Sequence, residues 1–192
     1  MLAKIPEVTS PSSLVDYLVP RFTYGYRNAR NQLITDGDYM DFTTTQPDEF
    51  QTTLTGVCYD CVAYQHTYVS TYFPSVYVNA YYAVAVDHDK DLPSHTWLTH
   101  AHHGSVVVDE VAWHDHAGVT EYQTETDMIV QYLRWLYPND EPVLVVRYNP
   151  AALADKSLSI IDFQLQLLRD ESTVFVLADD GVLQNVVNEL NA

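Results

Sequence analysis

Cysteine and long apolar runs are scarce in this chain of 192 residues. The two cysteines, Cys58 and Cys61, form a single C-x-x-C pair, so one chain cannot build a zinc site with four cysteine ligands. No apolar run approaches the roughly 20 residues that cross a bilayer. Residues 1–15 carry one lysine and no apolar core, so we expect no signal peptide, no membrane association and a cytoplasmic location.

Positive charge is equally scarce. The chain has three lysines, Lys4, Lys90 and Lys156, and a formal net charge of −17. Such a surface repels phosphate backbones, and the sequence contains no basic stripe that would offset the repulsion. We therefore expect no nucleic acid as a direct partner. The acidity favours solubility and does not identify a ligand.

The length and composition favour one globular domain. Hydrophobic residues make up 47% of the chain, which is enough for a core. We expect a single domain over residues 1–192, in which residues 1–13 form a loose lead-in. An early helical pattern precedes β-rich runs with short connections, which predicts an α+β fold with this helix packed on an antiparallel sheet.

Periodicity and capping signals place the elements along the chain. Helices are predicted at 14–18, 45–50, 57–73, 124–137, 157–168 and 182–190. Strands are predicted at 76–86, 95–100, 105–110, 143–148 and 173–177. Loops are predicted for most of 21–57 and for 87–93 and 114–124.

A cysteine lies where the helix at 57–73 begins. Gly56 lets the backbone turn tightly and places Cys58 in the first helical turn. A free thiol is only a few per cent thiolate at neutral pH, and a helix N-terminus or a neighbouring imidazolium favours the reactive thiolate. A small buried residue is the alternative interpretation of Cys58, and a redox pair with Cys61 is another. The segment before Cys58 has little of the strand character that a redox motif requires.

The hairpin downstream favours catalysis. If His102 and His103 are the two turn residues, His95 lies opposite Glu110, within reach of a carboxylate-to-imidazole hydrogen bond. A loop that is one residue longer or shorter makes Asp109 the neighbour instead, so both acids remain candidates. Trp97 shares the strand face of His95 and is either a wall of the site or a core aromatic.

Three short motifs carry a resemblance to a known family. They are Gly-Val-Cys-Tyr-Asp at 56–60, His-Thr-Trp-Leu at 95–98 and Val-Val-Asp-Glu-Val-Ala-Trp at 107–113, with Gly118-Val119-Thr120-Glu121-Tyr122 after them. In this order they resemble the transglutaminase-like superfamily of papain-type fold, in its bacterial and phage-type group, over about residues 45–170.

The resemblance implies a function and a set of roles. Cys58 would be the nucleophile, His95 the general base and acid, and Glu110 or Asp109 the orienting acid. Gln51, seven residues before Cys58, would donate a hydrogen bond to the oxyanion and so contact the substrate. Trp97, as a wall of the site on the His95 face, would be a second substrate contact. The implied reaction is acyl transfer or hydrolysis of an amide in a protein or peptide substrate, without a cofactor. The superfamily also contains inactive members, so a protein-binding module without catalysis is the alternative.

Histidines are concentrated in one region, with seven of the eight at 88–116. Several of them could bind zinc or nickel, but no helical H-E-x-x-H spacing supports a site. We therefore expect no metal. The sequence leaves the substrate, the choice between hydrolysis and transamidation, and the oligomeric state open.

Overall fold

The computed structural model describes residues 2–28, 30, 32–35, 41–85, 94–138, 143–152, 158–159, 162–163, 166–167 and 173–177. The helices are α1 (Pro11–Leu18), α2 (Pro47–Thr53), α3 (Cys58–Tyr72) and α4 (Glu125–Leu136), with short 3-10 turns at His114–His116 and Pro150–Ala152. The strands are β1 (Thr23–Tyr24), β2 (Tyr26–Arg27), β3 (Leu33–Ile34), β4 (Thr55–Gly56), β5 (Val78–Ala85), β6 (His95–His102), β7 (Ser105–Glu110), β8 (Gly118–Tyr122), β9 (Val143–Tyr148) and β10 (Thr173–Leu177).

Six of these strands form one antiparallel sheet in the order β10-β9-β5-β6-β7-β8. This arrangement confirms the predicted α+β class and excludes a parallel doubly wound sheet over the described residues. Within these residues no helix is both long and apolar enough to span a membrane.

The two faces of the sheet are covered by different helices. Alternate residues of the central strands, such as Tyr82 and Leu98, pack against α1 and α3, whereas Tyr81 and Trp97 point to the other face and pack against α4. The central strands β5 and β9 are therefore covered on both sides, which explains why they are mostly apolar rather than alternating. The main helix, α3, lies over β5 and β6.

The turn between β6 and β7 differs from the predicted one. His102 pairs with Ser105, so His103 and Gly104 are the turn residues, both with positive φ, 49° and 93°. Positive φ at both positions is the requirement of a type I′ turn, and glycine meets it without strain. The predicted His102-His103 turn is therefore wrong by one residue along the chain, although its length of two residues is right.

This one-residue displacement keeps the faces unchanged. With the loop length conserved, every pairing moves by two residues, and side chains two apart share a face. Leu98 is opposite Asp109, and continuing this register puts Trp97 opposite Glu110. The predicted pairing of His95 directly with Glu110 is thus wrong, but the two residues lie diagonally on the same face.

The N-terminal segment is packed on the helices, so the expectation of a loose lead-in is wrong. Leu2, Ile5 and Val8 are buried. The Tyr68 hydroxyl of α3 accepts from the Ile5 N–H at 2.9 Å, and the Tyr72 hydroxyl donates to the Leu2 carbonyl at 2.6 Å. The first helix also begins earlier than predicted because Ser10 caps it.

Other predictions have mixed outcomes. The helices at α2, α3 and α4 and the strands at β5, β6, β7, β9 and β10 agree with the predicted ones to within a few residues. The loop predicted for 114–124 is wrong because it contains β8, and the segment 21–57 contains four two-residue strands. The predicted loop at 87–93, the helix at 182–190 and most of the helix at 157–168 lie outside the described residues.

Candidate active site

The start of α3 is built around a buried carboxylate. Asp60 is 1% exposed; its Oδ2 accepts from the Val57 N–H at 2.9 Å and its Oδ1 from the Thr45 N–H at 2.5 Å. It thereby pairs one of the N–H groups that a helix start leaves free. A Cβ on Gly56 would lie 2.6 Å from Asp60 Oδ2, so this position has no space for a larger residue. Burial raises the pKa of Asp60 to about 7, against the lowering effect of these two backbone hydrogen bonds.

Cys58 and His95 meet where their elements begin. Cys58 is the first residue of α3 and His95 the first of β6, and both are buried. Their side chains are close enough for Cys58 to raise the pKa of His95. The Nε2 atom of His95 contacts Glu110 Oε2 at 2.8 Å, which leaves Nδ1 as the ring nitrogen for the thiol.

Glu110 is held by three donors. Its Oε2 accepts from His95 and from the Tyr132 hydroxyl, and its Oε1 accepts from the Trp113 N–H at 2.9 Å. The hydrogen bond between imidazole and carboxylate that the sequence predicted is therefore present, and its acceptor is Glu110. With both oxygens engaged, the carboxylate has a fixed orientation toward the ring.

The charges of this pair reinforce each other. Burial by itself would lower the pKa of His95, but the Glu110 charge, the neighbouring Cys58 and the hydrogen bond to Glu110 raise it from 6.5 to about 10. Burial would by itself raise the pKa of Glu110. The charge of His95 and the three hydrogen bonds that Glu110 accepts, from His95, Tyr132 and Trp113, instead lower this pKa below its usual 4.5. An imidazolium beside the thiol is the arrangement that stabilises a cysteine thiolate.

Asp109 faces the opposite side of the sheet from Glu110. Its Oδ2 contacts His100 Nδ1 at 2.6 Å, and both residues are buried. Burial raises the pKa of Asp109, and the hydrogen bond from His100 partly offsets this. The structure thus pairs Asp109 with His100 and does not place its carboxylate on His95.

Gln65 connects the cysteine helix to the strand that carries Glu110. Its Nε2 donates to the Asp109 carbonyl at 3.1 Å, and its Oε1 accepts from Cys61 Sγ at 3.6 Å. Burial, the Glu110 charge and Cys58 raise the pKa of the Cys61 thiol well above its usual value. Cys61 is therefore a protonated donor in the core, and both cysteines are free of disulfides.

Trp97 forms part of the wall behind His95. It is 1% exposed, and its ring is stacked on His95 at 6.3 Å between centroids and packs against Tyr132 at 4.7 Å. Trp113 also packs edge-on against His95 at 5.1 Å. Both tryptophans contact the imidazole, so the two interpretations of Trp97, core aromatic and wall of the site, are compatible.

Gln51 has a different position from the one that the resemblance implied. Its side chain accepts from the Ala3 N–H at 2.7 Å and donates to the Ala3 carbonyl at 2.6 Å, and it also reaches the Tyr64 hydroxyl. Tyr64 is six residues beyond Cys58, about 9 Å further along the helix at 1.5 Å per residue. Gln51 therefore anchors the N-terminal segment, and its amide is bonded to Ala3 and Tyr64 rather than directed at Cys58.

Two residues of the site were missed in the sequence. Tyr132 comes from α4 on the far side of the sheet, and no local pattern connects it to Glu110. Asp60 was signalled more clearly, because an acidic residue three positions after the N-cap is part of the capping-box pattern. The Gly56-x-x-x-Asp60 spacing is explained by their contact.

The histidine-rich region does not assemble into a metal centre within the described residues, where no three His, Cys, Asp or Glu side chains are grouped to hold an ion. His100 is bonded to Asp109, while His102 and His103 are exposed near the turn and lie ring to ring at 4.2 Å. His116 is stacked on Trp135 at 4.6 Å. These contacts occupy the histidines separately.

Compared with known proteins, the chain matches no family model, and no curated protein sequence matches it significantly. Functional inference therefore depends on the geometry of the site.

Proposed function

We propose that the protein is a cysteine-dependent acyltransferase or amide hydrolase that forms a thioester on Cys58. The observation that carries this proposal is the buried group in which Cys58 lies beside His95 and His95 Nε2 contacts Glu110 Oε2 at 2.8 Å. The order of these residues and the motifs around them resemble the transglutaminase-like superfamily, and the α+β fold with its cysteine helix on an antiparallel sheet is compatible with that resemblance.

The charges at the site suit the first step. The Cys58 thiolate, formed with its proton on His95 Nδ1, attacks the carbonyl carbon of a protein or peptide amide. The tetrahedral oxyanion accepts hydrogen bonds from backbone N–H groups of the first turn of α3, which have no partner within a helix. Glu110 stabilises the imidazolium throughout. By accepting a hydrogen bond from Nε2–H, it also holds that proton on Nε2, so that Nδ1 is the nitrogen that exchanges protons with Cys58 and the substrate.

The second half of the reaction restores the thiol. His95 returns its Nδ1 proton to the departing amine as the C–N bond breaks, which leaves an acyl thioester on Cys58. Water or a second amine then attacks the thioester, its proton passes to His95, and the thiolate leaves. Water gives hydrolysis and an amine gives transamidation, so the acceptor that reaches the thioester determines the reaction type.

Cys61 is the internal control for this proposal. It belongs to the same helix and is equally free, but its thiol donates to Gln65 and its pKa is raised by burial and by the Glu110 charge. A protonated buried thiol is a poor nucleophile. Cys58 is accordingly the cysteine that we assign to catalysis.

The test uses p-nitrophenyl acetate as a generic acyl donor, with intact-protein mass spectrometry as the readout. We expect the wild type to gain one acetyl group and release nitrophenolate in a burst. Cys58→Ala should show neither, while Cys61→Ala should keep both. Acetylation that persists in a folded Cys58→Ala protein, or none in the wild type, would contradict the proposal, and the second result would favour the protein-binding module.

A further inference from the structure

We propose that Tyr132 is a positioning residue that holds Glu110 in place and sets the balance of charge between Glu110 and His95. The proposal depends on the function proposed for Cys58, His95 and Glu110, and it adds a fourth residue from a separate helix. Tyr132 does not contact Cys58 through a hydrogen bond and acts through the carboxylate.

The geometry places Tyr132 and His95 on the same oxygen. The Tyr132 hydroxyl donates to Glu110 Oε2, the atom that also accepts from His95 Nε2 at 2.8 Å. Tyr132 is 2% exposed and Glu110 is 3% exposed, so water does not replace either bond readily. The Tyr132 ring is fixed by its contacts with Trp97 at 4.7 Å and Trp135 at 5.9 Å.

The charged and titratable groups around this oxygen come from every element packed there. On α3, Cys58 and Cys61 interact electrostatically with the site. On β8, Tyr122 interacts with Tyr132. Burial and the Glu110 charge raise the pKa of Tyr132 well above its usual value, so its hydroxyl remains a donor across the working pH range.

Because Tyr132 and His95 share one Glu110 oxygen, the hydrogen bond from Tyr132 lowers the pKa of His95. When His95 is an imidazolium, its charge already neutralises part of the carboxylate, and the hydrogen bond from Tyr132 is weaker. When His95 is neutral, the carboxylate charge is uncompensated, and the same bond is stronger. Tyr132 therefore stabilises the neutral form of His95 more than the charged form, and it limits how far Glu110 raises the pKa of His95.

Removing the hydroxyl reverses this effect. In Tyr132→Phe we expect the pKa of His95 to rise by about half a unit to one unit, because a charge-assisted hydrogen bond to Glu110 is lost. The matched control is Tyr122→Phe, since the Tyr122 hydroxyl is buried in the same core without a hydrogen-bond partner among the described residues. The titration of His95 should be unchanged in this control.

The measurement is the nitrogen NMR titration of the His95 ring in the wild type and both variants, without any substrate. A rise in Tyr132→Phe and none in Tyr122→Phe supports the proposal. Equal titrations in all three proteins would overturn it. Because no turnover is measured, a protein without acyl-transfer activity still gives a decisive answer, and failure of the proposed function is distinguished from failure of this inference.

A second measurement needs no variant and covers the case in which Tyr132→Phe does not fold. The ring-carbon resonance next to the Tyr132 hydroxyl should move with pH in the wild type, with the same midpoint as His95, because the two share one carboxylate. The corresponding Tyr122 resonance should not follow that midpoint. A Tyr132 resonance that is insensitive to the titration of His95 would contradict the shared-oxygen arrangement.

Discussion

Glu110→Gln is the substitution that tests the orienting acid most sharply. Glu110 accepts from His95, Tyr132 and Trp113 through two carboxylate oxygens, whereas the amide of glutamine has one oxygen. If the amide nitrogen lies toward Trp113, one N–H donor loses its acceptor; if it lies toward Oε2, two donors lose theirs. The first orientation has the lower free energy and leaves a neutral acceptor for His95. The unpaired buried N–H donor of Trp113 lowers the stability by about 1–3 kcal/mol.

The loss of charge affects catalysis more than the loss of the bond. Without the Glu110 carboxylate, burial is the dominant influence on His95, so its imidazolium is destabilised and His95 becomes a weaker base for Cys58. Loss of the orienting acid costs about 10⁴ in rate in the serine-protease case, and we expect about 10²–10³ here because a thiolate needs less help from its base. The assay is the acetylation rate with p-nitrophenyl acetate.

The matched control is Asp109→Asn, the neighbouring buried carboxylate. Asp109 faces the other side of the sheet and contacts His100, and an asparagine oxygen can still accept that hydrogen bond. We expect its acetylation rate to stay within about threefold of the wild type, since the substitution leaves the Cys58–His95 contact intact. A larger loss in Asp109→Asn than in Glu110→Gln would refute the assignment of Glu110.

The pH dependence of unfolding adds a check on the same pair. The pKa of His95 is raised, so its contribution to stability is complete below about 6.5 and declines as the pH rises toward 10. The pKa of Glu110 is lowered, so its contribution is complete above 4.5 and is lost as the pH falls through the lowered value. The stability difference between wild type and Glu110→Gln should therefore be largest between about pH 4.5 and 6.5.

Two further predictions concern the surroundings of Cys58. Gly56→Ala should lower the free energy of unfolding by about 1–3 kcal/mol and slow acetylation, because the added Cβ would lie 2.6 Å from the carboxylate of Asp60 that caps α3; thermal melting checks this, and an unchanged melting temperature would contradict it. Gln51→Ala should lower the free energy of unfolding by about 1 kcal/mol, because its two hydrogen bonds to Ala3 are lost, and should leave the acetylation rate unchanged. A slower rate in the folded variant would contradict this and indicate that Gln51 contributes to the oxyanion site.

Local patterns predicted much of the fold and the core of the site. The spacing around Cys58 identified the start of α3, and strict alternation along β6 and β7 put His95 and Glu110 on one face. That result survived a misplaced turn because the loop kept its length of two residues. Gly104 was the available signal for the correct turn, since positive φ favours glycine over histidine.

What the sequence did not predict depends on contacts between distant segments. Tyr132 reaches Glu110 only because α4 covers the second face of the sheet, and helix docking leaves no mark in the spacing of residues. The contact of the Gln51 amide with the backbone of Ala3 was missed for a similar reason, since the two residues are 48 positions apart. The burial of the N-terminal segment was signalled by Leu2, Ile5 and Val8, whose spacing of three was outweighed by the polar residues between them.

The central claim is that Cys58, beside His95, is the nucleophile of this site, and site-resolved alkylation with iodoacetamide at about pH 6 tests it most directly, since an ordinary thiol is almost fully protonated there. Peptide mass spectrometry reports Cys58 and Cys61 separately in the same sample, and His95→Asn serves as the comparison with the same access to both cysteines. The account predicts that Cys58 is modified much faster than Cys61 in the wild type and that this advantage is lost in His95→Asn. Equal, slow modification of the two cysteines in the wild type, or an advantage of Cys58 that persists in His95→Asn, would contradict it.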